Sequence, residues 1–184
     1  MNKNNLRILI SAYSASIFSQ GILSPIYAFF VLKIGGGILE TAYSTALFSI
    51  VTGIVTILIY RTKWSRKYEK ECLVWGWFLW TASLLMYCCI TSIIALCISQ
   101  VLNALGNAFS QAAFDVEYAK VTHSDPAHGW SWFEGATNIT SGIASLFTGI
   151  LALYFGLQFL MICMSIFATI SFLIIYYYSY VKKI

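Results

Sequence analysis

The chain has 184 residues and a net charge of +4, with 59% hydrophobic and only 10% charged side chains, and its mean hydropathy is +0.77. A soluble domain is usually about 45–50% apolar and about 25% charged, so this composition excludes an ordinary water-soluble globule and points to one all-α integral membrane domain. The charges gather at the N-terminus, at 61–71, at 115–134 and at the C-terminus, which is the layout of a multi-span protein and not of a nucleic-acid binder, so no nucleic-acid partner is expected.

The N-terminal stretch up to Arg7 begins like a signal peptide. The apolar run behind it exceeds the ~7–15 residues of a signal core, so it is read as a retained first span. A spanning helix needs about 20 apolar residues. Residues 8–32 carry no charge and give span one, with a kink at Pro25. Gly35-Gly36-Gly37 forms a turn, and span two covers 41–60. The most basic loop follows at 61–71. Residues 72–114 are uncharged over about twice the required length, and divide near Thr91-Ser92 into span three, 72–90, and span four, 93–114. A second loop covers 115–129, in which Ser124-Asp125-Pro126 reads as a helix start with Asp125 as N-cap. Spans five and six are expected at 130–153 and 158–181, with a turn at Tyr154-Phe155-Gly156.

Six spans put both termini on one side. If that side is the cytoplasm, ten of the eleven basic residues lie inside and only Lys33 lies outside. The positive-inside rule therefore gives both termini cytoplasmic, in the cell membrane.

The spans also differ in polarity. Span one carries Ser16, Gln20 and Ser24. Span two carries Thr41, Thr45, Ser49, Thr52 and Thr56. Span four carries Gln100, Asn103, Asn107 and Gln111, and span five Glu134, Asn138, Ser141, Ser145 and Thr148. These spacings of three and four set each group on one helix face. Spans three and six are oily. The order polar, polar, oily thus occurs twice with opposite starting sides, which is the pattern of a 3+3 inverted repeat in a transporter. The oily members are expected to face lipid and the striped ones to line an aqueous path. Ser and Thr stripes can simply join helices at ~0.6 kcal/mol per bond. Four amides are a stronger signal, because each left unpaired in hydrocarbon costs roughly 2–7 kcal/mol.

Ser24-Pro25 through Gly35-Gly36, then Ala46 to Ile50 with Gly53, and Gln100 to Ala108 resemble the first, second and fourth spans of major facilitator superfamily transporters. The resemblance implies one six-span half of a fold that normally has two. Some positions depart from the family's pattern. The loop at 60–67 keeps the basic run without an acid before Glu69. Gln100 stands where the family often has an arginine. Gly142 and Gly149 lack the proline of the antiporter signature, so drug antiport is not implied.

The expected substrate pathway is Gln20, Gln100, Asn103, Asn107, Gln111, Asn138 and Ser141. A cytoplasmic gate is expected in which Asp115, Glu117 and Glu134 oppose Arg61, Lys63 and Arg66. The pathway lacks charge midway, which suits a neutral or zwitterionic small solute. The five cysteines are an odd number within apolar runs, so they are read as buried apolar residues and not as disulfides. His123 and His128 have a poor metal spacing, and no catalytic motif occurs. No cofactor, metal or enzymatic activity is expected. The expected function is solute transport by a half-size unit paired as a homodimer or with another half-size membrane protein, in contact with membrane lipid. The alternative is a non-transporting assembly or regulatory subunit, or a decayed half-transporter.

Overall fold

The computed structural model describes residues 3–62 and 64–181, and among them it is all helical. The helices are α1 (Lys3–Leu23), α2 (Tyr27–Lys33), α3 (Ile38–Thr62), α4 (Trp64–Lys67), α5 (Glu69–Met86), α6 (Ile93–Val121) and α7 (Pro126–Tyr176). A 3-10 turn, Ser24–Ile26, joins α1 to α2. Pro25 has no N–H to continue the α-helical ladder, and the expected kink falls there. A π turn, Tyr177–Val181, ends the described chain.

The caps follow from local chemistry. The Ser92 side chain accepts from Ala95 N at 3.3 Å and starts α6. Asp125 Oδ1 accepts from His128 N at 3.2 Å and starts α7 at Pro126, four residues before the expected boundary. Gly156, with φ 74° and ψ 175°, breaks α7 inside the expected turn. That backbone region is essentially restricted to glycine. Span four ends later than expected: α6 continues seven residues beyond 114, so Asp115 and Glu117 sit on a helix and not in a loop. The charge of Asp115 suggested an end to the span, but charge alone does not stop a helix.

Cross-contacts give the helix directions. Tyr13 meets Phe133, a Cβ on Gly21 would meet Ala144, and Thr148 bonds Ile22 O, so the first arm of α7 (126–155) runs parallel to α1. Ser19 bonds Met164 O and Ser171 bonds Ala12 O, so the second arm (157–176) runs back antiparallel. The single residue Gly156 therefore closes a helical hairpin. Trp77, Thr81 and Leu84 of α5 meet Ser171, Ala168 and Ser165 of the second arm in the same antiparallel sense. α5 and α6 are antiparallel and in very close contact: a Cβ on Gly76 would strike the Ser110 backbone, and one on Gly106 the Trp80 backbone.

The packing is polar inside and oily outside. Ser19, Ser44, Ser83, Ser99, Thr148 and Ser171 are fully buried, while Ile38, Ile94, Leu146 and Leu153 are among the most exposed side chains. Water would not tolerate that arrangement, whereas lipid favours it. Among the described residues four helical stretches are long and apolar enough to cross a membrane: Asn4–Lys33, Ile38–Thr62, Ile93–Val121 and Pro126–Val181. α5 is shorter, with Glu69, Lys70 and Glu71 in its first turn.

One expectation is reversed. Oily α5 does not simply face lipid. Leu73, Gly76, Trp77, Trp80 and Leu84 pack it between α6 and the second arm of α7. The hydroxyl-striped α3 is instead the most exposed long helix, with only Ser44 and Ile59 buried. The reason is physical. Between helices in lipid no hydrophobic force operates, so close fit decides which helix is interior. Gly76 and Gly106 supply that fit.

Candidate functional site

The amide face of α6 divides into three parts. At one end Gln100 is buried, and its Nε2 donates to Tyr27 Oη at 2.6 Å. Tyr27 donates in turn to Ser44 Oγ at 2.6 Å, and Ser44 to Thr41 O at 3.0 Å. This chain ties α6 to α2 and α3. At the other end Gln111 Oε1 accepts from Tyr13 Oη at 2.8 Å, and its Nε2 donates to Asp115 Oδ1 at 2.9 Å. Asp115 Oδ2 also accepts from Tyr60 Oη at 3.2 Å. This second chain joins α1, α6 and α3.

Between these networks lie the two asparagines. Asn103 is 9% exposed, and its Oδ1 is buried without a hydrogen-bond partner. Asn107 is half-buried and borders a narrow cleft with Tyr13, Ser16, Gln20, Trp80 and Gln111. The cleft holds about 20 Å³, room for roughly one water. The structure thus brings Gln20, Asn107 and Gln111 to one cavity. Gln100 and Asn103 lie outside its lining, as do Asn138, exposed on the first arm of α7, and Ser141, half-buried there.

The charged end of the bundle gathers the start of α5, the end of α6 and the π turn. Lys120 pairs with Glu69, and with Glu117 at 3.7 Å, and Tyr178 Oη donates to Glu117 Oε1 at 2.6 Å. Burial, and then the neighbouring Glu117 carboxylate, push the Glu69 carboxyl up to about 7, with Lys120 opposing the rise.

The expected pairing of the acids with Arg61 is not what this end shows. Arg61 makes no ion pair among the described residues, and the acids are held by tyrosines, Gln111 and Lys120 instead. A flexible exposed arginine gains little from a surface pair, whereas a tyrosine hydroxyl at a helix interface needs a partner. Lys63 and the side chain of Arg66 lie outside the described residues, and Glu134 is exposed at the start of α7.

Tyr13, Tyr27, Tyr60, Tyr178, Glu69 and Lys120 were not singled out from the sequence. A signal existed for the first three: each is an amphipathic ring within or at the end of an uncharged run, where its hydroxyl requires an acceptor.

Residues 9–183 match the family model of the Major Facilitator Superfamily. The chain belongs to the major facilitator superfamily. Comparison with curated proteins and with solved structures finds no match to either. Membership of a facilitator family accounts for an inside-out helical bundle, since facilitators carry solutes across membranes.

Proposed function

We propose that these residues form one six-span half of a facilitator fold, a 3+3 inverted repeat with both termini cytoplasmic in the cell membrane, which transports a small neutral or zwitterionic solute when a second half faces it. The second half is another copy or another half-size membrane protein. The alternation of helix directions and the basic residues at one end support the span count and the orientation. The observation that carries the reading is the middle of the amide face. Asn103 keeps a free buried acceptor, and Asn107 meets Gln20 at a cleft between α1, α5 and α6. Asn103 Oδ1 is one of seven buried side-chain atoms without a partner among the described residues, and Trp80, which borders the cleft, carries another at its indole nitrogen, so unmet polar groups gather at the middle of this face. Asn138, an exposed amide on the first arm of α7 that cannot complete its hydrogen bonds within its own helix, requires a facing partner to shield it from lipid.

In this reading Gln20, Asn103 and Asn107 bind solute, Asn138 and Ser141 extend the path, and Gln100 and Gln111 hold its two ends. Asp115 and Glu117 close the cytoplasmic end through Tyr60, Gln111, Tyr178 and Lys120, and exchange those partners for Arg61, Lys63 and Arg66, with Glu134, when the two halves of the cycle alternate. The test is reconstitution into liposomes with a broad panel of neutral and zwitterionic solutes. Uptake of at least one that is lost in Asn107→Ala, with unchanged thermal stability, supports the proposal. A protein that moves none of them and stays monomeric in mild detergent would indicate a non-transporting subunit. The second reading has its own support, because Gln100 and Gln111 are already engaged by neighbours and the cleft admits only about one water.

A further inference from the structure

At the end of the bundle opposite the basic loops, α2, the turn after α5 and the start of the second arm of α7 enclose a cavity of about 290 Å³. Its wall is apolar, formed by Phe30, Tyr87, Ile90 and Met161, all buried. Its mouth is polar, with Lys33, Thr91 and Gln158 exposed around it. Lys33 makes no ion pair among the described residues. Glu40, the acid nearest in sequence, is engaged elsewhere, accepting from Gly37 N at 2.7 Å. Cys88 lines this cavity and also a second, mostly hydrophobic groove of about 410 Å³ between Leu85 and the row Ile162, Ile166 and Ile170, where the Ser165 and Thr169 hydroxyls are bonded back to the helix carbonyls. That row extends the site by about 12 Å along the helix axis. A cationic mouth therefore opens at the level of Lys33 and continues into an oily channel running toward the middle of the bundle.

We propose that this composite cavity binds one anionic glycerophospholipid, its phosphate on Lys33 and Gln158 and one acyl chain along the isoleucine row. Charge complementarity selects the headgroup, and the length of the groove selects a chain over a free anion. The lining excludes α3, α6 and the first arm of α7, so a lipid here leaves the amide face free. The site does not depend on whether the protein transports.

The test is thermal unfolding of the detergent-solubilised full chain, titrated with phosphatidylglycerol, with phosphatidylcholine of the same chains, and with inorganic phosphate. Phosphatidylglycerol is expected to raise Tm saturably, and the other two are not. Lys33→Gln should weaken half-saturation roughly tenfold or more, and Lys33→Arg should retain it. Ile166→Trp, which fills the groove, should reduce the response without touching the charge. Lys70→Gln at the opposite end should leave it intact. An equal response to phosphatidylcholine, a response indifferent to Lys33→Gln, or stabilisation by inorganic phosphate alone would each overturn the proposal, the last by showing a simple anion site.

Discussion

α3 and α6 carry polar stripes at the same helical spacing and meet opposite fates. The stripe of α6 points inward, with Gln100 and Asn103 buried. The stripe of α3 is largely exposed at Thr45 and Ser49. The difference lies in what each side chain can satisfy alone. A hydroxyl bonds back to a carbonyl one turn earlier, as Thr45 does to Thr41 O at 2.9 Å and Thr62 to Leu58 O at 2.8 Å. It then needs nothing from its surroundings. A carboxamide has two donors and two lone pairs and cannot complete itself within its own helix. Four such groups on one face draw α6 inward, which the single exposed Asn138 does not do for its arm of α7, and hydroxyls leave α3 free to lie at an edge.

This contrast can be broken in order of effect. The largest loss is expected from Gly106→Val, which pushes α5 off α6 and removes the seam that holds the amide face in place. Overpacking of this kind costs about 3 kcal/mol at the upper end of its usual range, and thermal unfolding in detergent measures it. Gln111→Leu should cost roughly 1–3 kcal/mol, because it strands Tyr13 and one oxygen of Asp115. Asn103→Leu should act with the opposite sign. Removing a buried acceptor that has no partner raises Tm, while the same change lowers solute uptake in liposomes. Thr45→Val on α3 should shift stability by less than about 0.5 kcal/mol, since only a local back-bond is lost. Equal penalties at Thr45 and Gln111 would erase the distinction between the two stripes.

The charged end gives a prediction in pH. Unfolded, the Glu69 carboxyl titrates near its ordinary 4.5, and folded it is pushed up to about 7. The folded chain holds that proton more tightly, so stability falls as pH rises from about 4.5 to about 7 and levels off above. Glu69→Gln should flatten this slope in Tm measured across the same window. A slope that survives in the variant would assign the effect to other groups.

Punctuation was the most legible part of the sequence. Pro25, Ser92, Asp125-Pro126 and Gly156 all act where their backbone chemistry indicated. So was the inward turn of Gln100 and Asn103, because an amide in lipid has few alternatives. Helix rank was less accessible. Side-chain oiliness placed α5 outside, but what draws it in is backbone proximity at Gly76 and Gly106, a property of two residues on different helices. The tyrosine partners were hidden for a related reason: Tyr13 meets Gln111 and Tyr178 meets Glu117 across long sequence separations, and no local period encodes such pairs.

The hairpin at Gly156 closes with one non-helical residue, and the neighbouring connections at that end, 34–37 and 87–92, are also brief. Trypsin approaching from there meets one exposed basic residue among those described, Lys33. The opposite end exposes Arg61, Lys67 and Lys70 and the turn at 123–125, and is where tryptic nicking, epitope insertion or fusion of a reporter should succeed. Digestion of intact versus inverted vesicles would therefore read out which way the molecule sits without any knowledge of what it carries.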